Sequence, residues 1–95
     1  MDRESRDLKR SWKQAERLVA KQGFPLADAE LGMLFASVAA ALRSRPCDHT
    51  RTVTEDWLRR RNHPLGPVLE WLDGHGGFCD CEVVANAREH FTANR

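Results

Sequence analysis

The sequence lacks the features that mark exported, membrane-spanning and disulfide-stabilised proteins. Residues 1–13 are crowded with charged side chains, whereas a secretory signal needs an apolar run of about 7–15 residues near the N-terminus. The longest uncharged apolar stretch, residues 31–42, is much shorter than the roughly 20 residues that cross a bilayer. We therefore expect a cytoplasmic protein that does not associate with membranes.

A strong excess of charge of one sign is also missing. The 15 Lys and Arg residues oppose 14 Asp and Glu residues, which leaves a formal net charge of +1. Overall charge therefore does not indicate nucleic acid or an anionic membrane as a partner. With 95 residues, of which 41% are hydrophobic and 31% charged, the composition is that of an ordinary globular protein. We expect a single domain over residues 1–95.

Cysteine is scarce, and its number is odd. The chain has three cysteines, so they cannot all pair in disulfides within one chain. Cytoplasmic thiols stay reduced, and cysteine clusters there more often bind metal or carry out redox chemistry. The three occur in two short motifs, Cys47-Asp48-His49 and Cys79-Asp80-Cys81.

Hydrophobic periodicity predicts an all-α fold, a compact bundle of four to five short helices. The first helix carries Leu8, Trp12, Ala15 and Val19 on one face and forms a basic amphipathic extension over residues 1–23. The core, residues 26–91, contains the other helices. They are predicted over 28–43, from 50 or 51 to 61, from Pro67 to about 73, and over 82–91. Residues 78–84 fit a short extended segment equally well.

The two cysteine motifs predict a structural zinc site, because such sites take four thiolate or imidazole ligands. Each motif precedes a predicted helix. If the third and fourth helices are antiparallel, residues 47–49 lie beside residues 75–81. We predict a Cys3His site formed by Cys47, His49, Cys79 and Cys81, with His75 as the alternative to His49. Inert or redox-active thiols, and an iron–sulfur cluster or other metal, remain as alternatives.

Several segments resemble a family of small bacterial proteins catalogued as domain of unknown function 2695. The specific ones are Cys47-Asp48-His49-Thr50 and Gly76-Gly77-Phe78-Cys79-Asp80-Cys81-Glu82-Val83. The resemblance covers residues 26–87, clearly in their second half and by helical pattern in their first. It implies a short, cytoplasmic bacterial protein in which these cysteines and the histidine are the distinctive positions. It implies no activity.

Three classes of function fit the sequence. The first is a zinc-stabilised binding or adaptor module, with Trp12 as an exposed aromatic that contacts a protein partner. The second is nucleic-acid binding through six cations on the polar face of the first helix. The third is a thiol redox or metal-handling protein. Ser–His–acid and phosphate-loop patterns are absent, which leaves enzymatic activity open but argues against it. The six cations are Arg3, Arg6, Arg10, Lys13, Arg17 and Lys21.

Overall fold

A computed structural model describes the backbone of residues 2–95 and the side chains of residues 12–95. Five helices form this part of the chain, which contains no β-strand, so the all-α prediction is confirmed. None of these helices is both long and apolar enough to cross a membrane. The first four are α1 (Asp2–Gln22), α2 (Asp28–Ser44), α3 (Thr52–Arg60) and α4 (Leu65–Gly74).

The fifth helix, α5, is continuous over three stretches. It begins with Asp80–Glu82, passes through a π-helical turn at Val83–Ala87 and ends with Arg88–Asn94. Residues 80–84 are therefore helical, and the extended alternative for residues 78–84 is wrong. A π-helical turn widens the backbone ring locally and often lies near a functional site. Here it directly follows the second cysteine motif.

The core is built around α2, whose inward face carries Leu31, Leu34, Phe35 and Val38, each at most 1% exposed. These positions recur at intervals of three and four residues, as one face of a helix requires. Apolar side chains of the other core helices pack against this face and are also buried. They are Leu58, Val68, Leu72, Val83, Ala87 and Phe91.

The fourth helix begins two residues earlier than predicted. Pro64 precedes it in an extended conformation, with φ −68° and ψ 128°, and Pro67 lies within its first turn. The N–H groups of a first helical turn have no partner within the helix. A proline, which lacks an N–H, is therefore tolerated at Pro67 without marking the start of the helix.

The start of α3 lies beside the end of α4, as the antiparallel arrangement requires. Arg51, directly before α3, forms an ion pair with Asp73 near the end of α4, with Nη1 2.6 Å from Oδ1. The same guanidinium nitrogen donates to the carbonyl oxygen of Gly77 at 3.3 Å. These contacts bring the loop before α3 close to the segment that carries the second cysteine motif.

The long first helix packs against the end of α5 and contributes little to the core. Trp12 is 67% exposed and Val19 is 71% exposed, although the apolar face of an amphipathic helix is normally buried. Leu18, on a neighbouring part of the helix, is also exposed. The bundle therefore leaves these apolar side chains of α1 in contact with solvent.

Candidate metal centre

Three thiols from two distant parts of the chain meet at one point. The Sγ atoms of Cys47, Cys79 and Cys81 all lie within 4.8 Å of one another, and those of Cys79 and Cys81 are 3.3 Å apart. None of the three forms a disulfide. Cys79 is only 6% exposed, Cys47 is half-buried and Cys81 is exposed. We call this group the thiol cluster.

A backbone contact joins the two segments that form the thiol cluster. Asp80 donates its N–H to the carbonyl oxygen of Thr50 at 2.8 Å, which ties the start of α5 to the loop after Cys47. Cys79 is extended, with φ −142° and ψ 168°, and Cys81 follows in the first turn of α5. This change from extended to helical backbone lets Cys79 and Cys81 reach Cys47 while the residue between them points elsewhere.

That intervening residue, Asp80, is buried and caps α3. Its Oδ2 accepts the N–H of Val53 at 3.1 Å, and its Oδ1 accepts the N–H and the hydroxyl of Thr54 at 3.0 and 2.7 Å. A side-chain oxygen that accepts N–H groups of a first helical turn stabilises the helix. The sequence offers no local signal for this contact, because the capping residue lies 26 residues or more from the N–H groups it binds.

Backbone N–H groups around the thiol cluster favour the thiolate form of Cys47. The N–H of Cys81 donates to the Cys47 sulfur at 3.5 Å. This bond, followed by one from the N–H of His49, lowers the pKa of Cys47 below its ordinary value. The thiolate is the form of cysteine that binds metals. The local backbone is therefore arranged to stabilise a negatively charged sulfur.

The buried Cys79 behaves differently. The N–H of Glu82 lowers the pKa of its thiol, but burial and the neighbouring Cys81, Glu82 and Cys47 side chains raise it, so that it reaches about 12. Cys79 accordingly holds its proton at neutral pH and donates it to Oε1 of Glu82, 3.3 Å away. Binding of a metal cation to such a thiol must displace this proton.

The histidines predicted as ligands lie elsewhere. His49 is exposed and has a positive φ of 68°, and its ring nitrogens are not among the donor atoms that lie within 4.8 Å of one another. His75 stacks on His90, with ring centroids 3.8 Å apart, and lies against Trp71. The structure thus brings together the three predicted cysteines, whereas neither histidine belongs to their cluster.

The basic face of α1 is described only in part. Lys13, Arg17 and Lys21 are exposed, and Lys21 forms an ion pair with Asp28, with Nζ 3.0 Å from Oδ2. Arg3, Arg6 and Arg10 lie outside the residues whose side chains the structure describes. Two of the six predicted cations, Lys13 and Arg17, are therefore present at the surface of α1 within one turn of each other.

Comparison with known proteins places the chain among bacterial proteins. No solved structure matches it. An uncharacterised protein of Mycobacterium bovis is 32% identical over 81 residues, which cover 85% of this chain and 82% of that protein. Two uncharacterised proteins of Mycobacterium tuberculosis strains match to the same extent. The model of the family described as protein of unknown function DUF2695 matches residues 34–86, a span that contains the whole thiol cluster. The chain belongs to this family.

Proposed function

We propose that this protein is a small cytoplasmic binding module stabilised by one structural zinc ion. The observation that carries the proposal is the approach of Cys47, Cys79 and Cys81 to within 4.8 Å of one another. Three sulfurs from segments more than 30 residues apart are the donors expected of a structural zinc site. A zinc ion there would join the loop before α3 to the start of α5.

The donor chemistry of the thiol cluster fits zinc. Thiolates are soft ligands that select zinc and similar metals over magnesium or calcium. The N–H groups that surround the sulfurs offset part of their negative charge, as hydrogen bonds to metal ligands commonly do. For the fourth ligand the sequence predicts His49, whose own N–H already donates to the Cys47 sulfur. Its exposed side chain would have to turn toward the thiols.

The size of the protein gives zinc a physical purpose. A chain of about this length buries a small core, and domains of this kind often gain stability from a bound metal. The core helices, residues 26–91, would be fastened by the zinc, while α1 extends from them. A closed site with three or more thiolates is typical of structural zinc, whereas catalytic zinc keeps a position for water. We therefore propose a structural site and no catalytic residue.

The exposed apolar side chains of α1 support a role in binding protein. Trp12 and Val19 are each more than 60% exposed. Large exposed aromatics contribute strongly to protein–protein contacts. We propose that α1 contacts the partner, and that zinc keeps the bundle on which α1 rests folded.

Metal analysis tests the zinc site. Protein purified under reducing conditions should contain about one zinc per chain, and a strong chelator should lower its melting temperature. Cys47→Ser should lower the melting temperature of the zinc-loaded protein and have little effect in chelator, where both proteins are metal-free. Folded, metal-free protein whose three thiols titrate readily, and whose melting temperature does not respond to zinc, would refute the site.

Nucleic-acid binding is the alternative function, and the exposure of Lys13 and Arg17 favours it. Binding through phosphate contacts weakens steeply with added salt. The double variant Lys13→Glu/Arg17→Glu should abolish such binding to duplex DNA, while Trp12→Ala should leave it unchanged. If wild-type protein does not bind DNA even at low salt, this alternative is excluded. Reversible thiol oxidation without bound metal would instead support a redox protein.

A further inference from the structure

We infer that the carboxylate of Glu82 is the fourth ligand of the metal held by Cys47, Cys79 and Cys81, an inference that rests on the proposed zinc site. Oε1 of Glu82 lies 3.3 Å from the Cys79 sulfur. Among the residues whose side chains the structure describes, Glu82 is the one carboxylate within hydrogen-bonding distance of a cysteine sulfur. Carboxylate oxygen is an established zinc ligand.

The helical backbone holds Glu82 in this position. It lies three residues after Cys79, and side chains three apart on a helix are neighbours. Asp80 anchors this first turn of α5 through its bonds to Thr50 and Thr54. The carboxylate therefore stays above the thiol cluster without depending on a mobile loop.

The distances fit a shared tetrahedral ion. With Zn–S near 2.3 Å and Zn–O near 2.1 Å, tetrahedral geometry separates sulfur from oxygen by about 3.6 Å and sulfur from sulfur by about 3.8 Å. The observed separations are 3.3 Å for Cys79 and Glu82 and 3.3 Å for Cys79 and Cys81. Both pairs need to separate by only a few tenths of an ångström. Cys47, within 4.8 Å of the others, needs to approach by about 1 Å at most.

The charge of this donor set is one that zinc sites tolerate. Three thiolates and a carboxylate carry the same charge as the four thiolates of common structural sites. The N–H of Cys81, which donates to the Cys47 sulfur, lies at the start of α5. The positive end of the helix dipole lies there as well. Both stabilise the anionic ligands.

His49 fits the observed arrangement less well. Its side chain is exposed and its ring nitrogens lie outside the group of mutually close donor atoms. Its backbone N–H, by contrast, helps to stabilise the Cys47 thiolate. We assign His49 a role in the loop that presents Cys47, through its backbone and its left-handed conformation with φ 68°.

X-ray absorption of the zinc-loaded full chain tests this assignment. We expect three sulfur neighbours and one oxygen, without the outer-shell scattering of an imidazole ring. Glu82→Ala should weaken zinc binding by more than roughly 100-fold, the upper end of what loss of an outer-shell partner costs. Glu89→Ala, seven residues along the same helix, is the matched control and should have little effect, as should His49→Ala. Glu82→Cys should restore tight binding and give four sulfur neighbours.

Each other result is informative. Imidazole scattering that disappears in His49→Ala, or less than a 10-fold loss of zinc affinity in Glu82→Ala, would overturn the assignment of Glu82 but leave the zinc site in place. Three sulfur neighbours in Glu82→Cys would also overturn it. Wild-type protein that binds no zinc would refute the site itself, and with it this inference.

Discussion

The buried carboxylate of Asp80 accepts two hydrogen bonds from Thr54, one from its N–H at 3.0 Å and one from its hydroxyl at 2.7 Å. The residue between the two clustered cysteines thus caps a different helix. The start of α5 and the start of α3 are held together by one side chain, and the thiol cluster lies directly beside this connection. We expect the stability of α3 and the geometry of the thiols to depend on each other.

Asp80→Ala should reduce the free energy of unfolding by about 2–4 kcal/mol, because it leaves buried donors of Val53 and Thr54 without an acceptor. Asp48→Ala is the control. Asp48 is exposed, accepts hydrogen bonds only from nearby Thr50 and should cost under about 1 kcal/mol. Urea unfolding in the presence of a chelator measures both without a contribution from metal. Equal losses for the two variants would contradict the capping role of Asp80.

Two glycine substitutions should have opposite effects. Gly76 has a φ of +72°, and a Cβ there would lie 3.2 Å from Nδ2 of Asn86, whose side chain donates to the Gly76 carbonyl oxygen. Gly76→Ala should therefore destabilise the fold by about 1–2 kcal/mol. Gly32 lies within α2, where a Cβ meets nothing within 4 Å, so Gly32→Ala should stabilise it by up to about 1 kcal/mol. Thermal unfolding of both variants checks the pair, and stabilisation by Gly76→Ala would contradict the prediction.

Acid should weaken the contact between α2 and the end of α3. Hydrogen bonds from Arg61 and then His63 lower the pKa of Glu30 from its ordinary 4.5 to about 2. Because the folded-state pKa is depressed, the stabilisation is complete above pH 4.5 and is lost as the pH falls toward 2. Melting temperatures of wild-type protein and Glu30→Gln should therefore differ at pH 6 and converge near pH 2. A difference that does not change with pH would contradict this origin.

The burial of α2 predicts a contrast between two of its side chains. Phe35, 1% exposed, contacts Phe91 and Trp71 with ring centroids 5.4 and 6.4 Å apart. Phe35→Ala should cost about 3–5 kcal/mol, the usual loss for a buried aromatic. Met33→Ala, on the outer side of the same helix and 42% exposed, should cost much less. Chemical denaturation measures both, and similar losses would show that α2 is not the centre of the core.

The amino-acid sequence alone determined the helices and the pairing of the two cysteine motifs. Apolar residues at intervals of three and four residues predict buried helical faces, because that interval follows from the geometry of the helix. Leu31, Leu34 and Val38 are accordingly buried. The antiparallel arrangement of α3 and α4 followed from a short connection between them, and it brings Cys47 toward Cys79 and Cys81.

Only the tertiary structure decided which residues complete the environment of the thiols. His49 and Cys47 lie two residues apart, but a positive φ at His49 and its exposure place its ring outside the cluster. Glu82 lies near Cys79 because α5 begins before it, and the start of α5 is fixed by Asp80 and its distant partners. Local spacing could not show this, since the contacts that orient these side chains join residues 26 or more positions apart. The same holds for α1, whose apolar face is clear from the sequence, whereas its exposure depends on where the other helices lie.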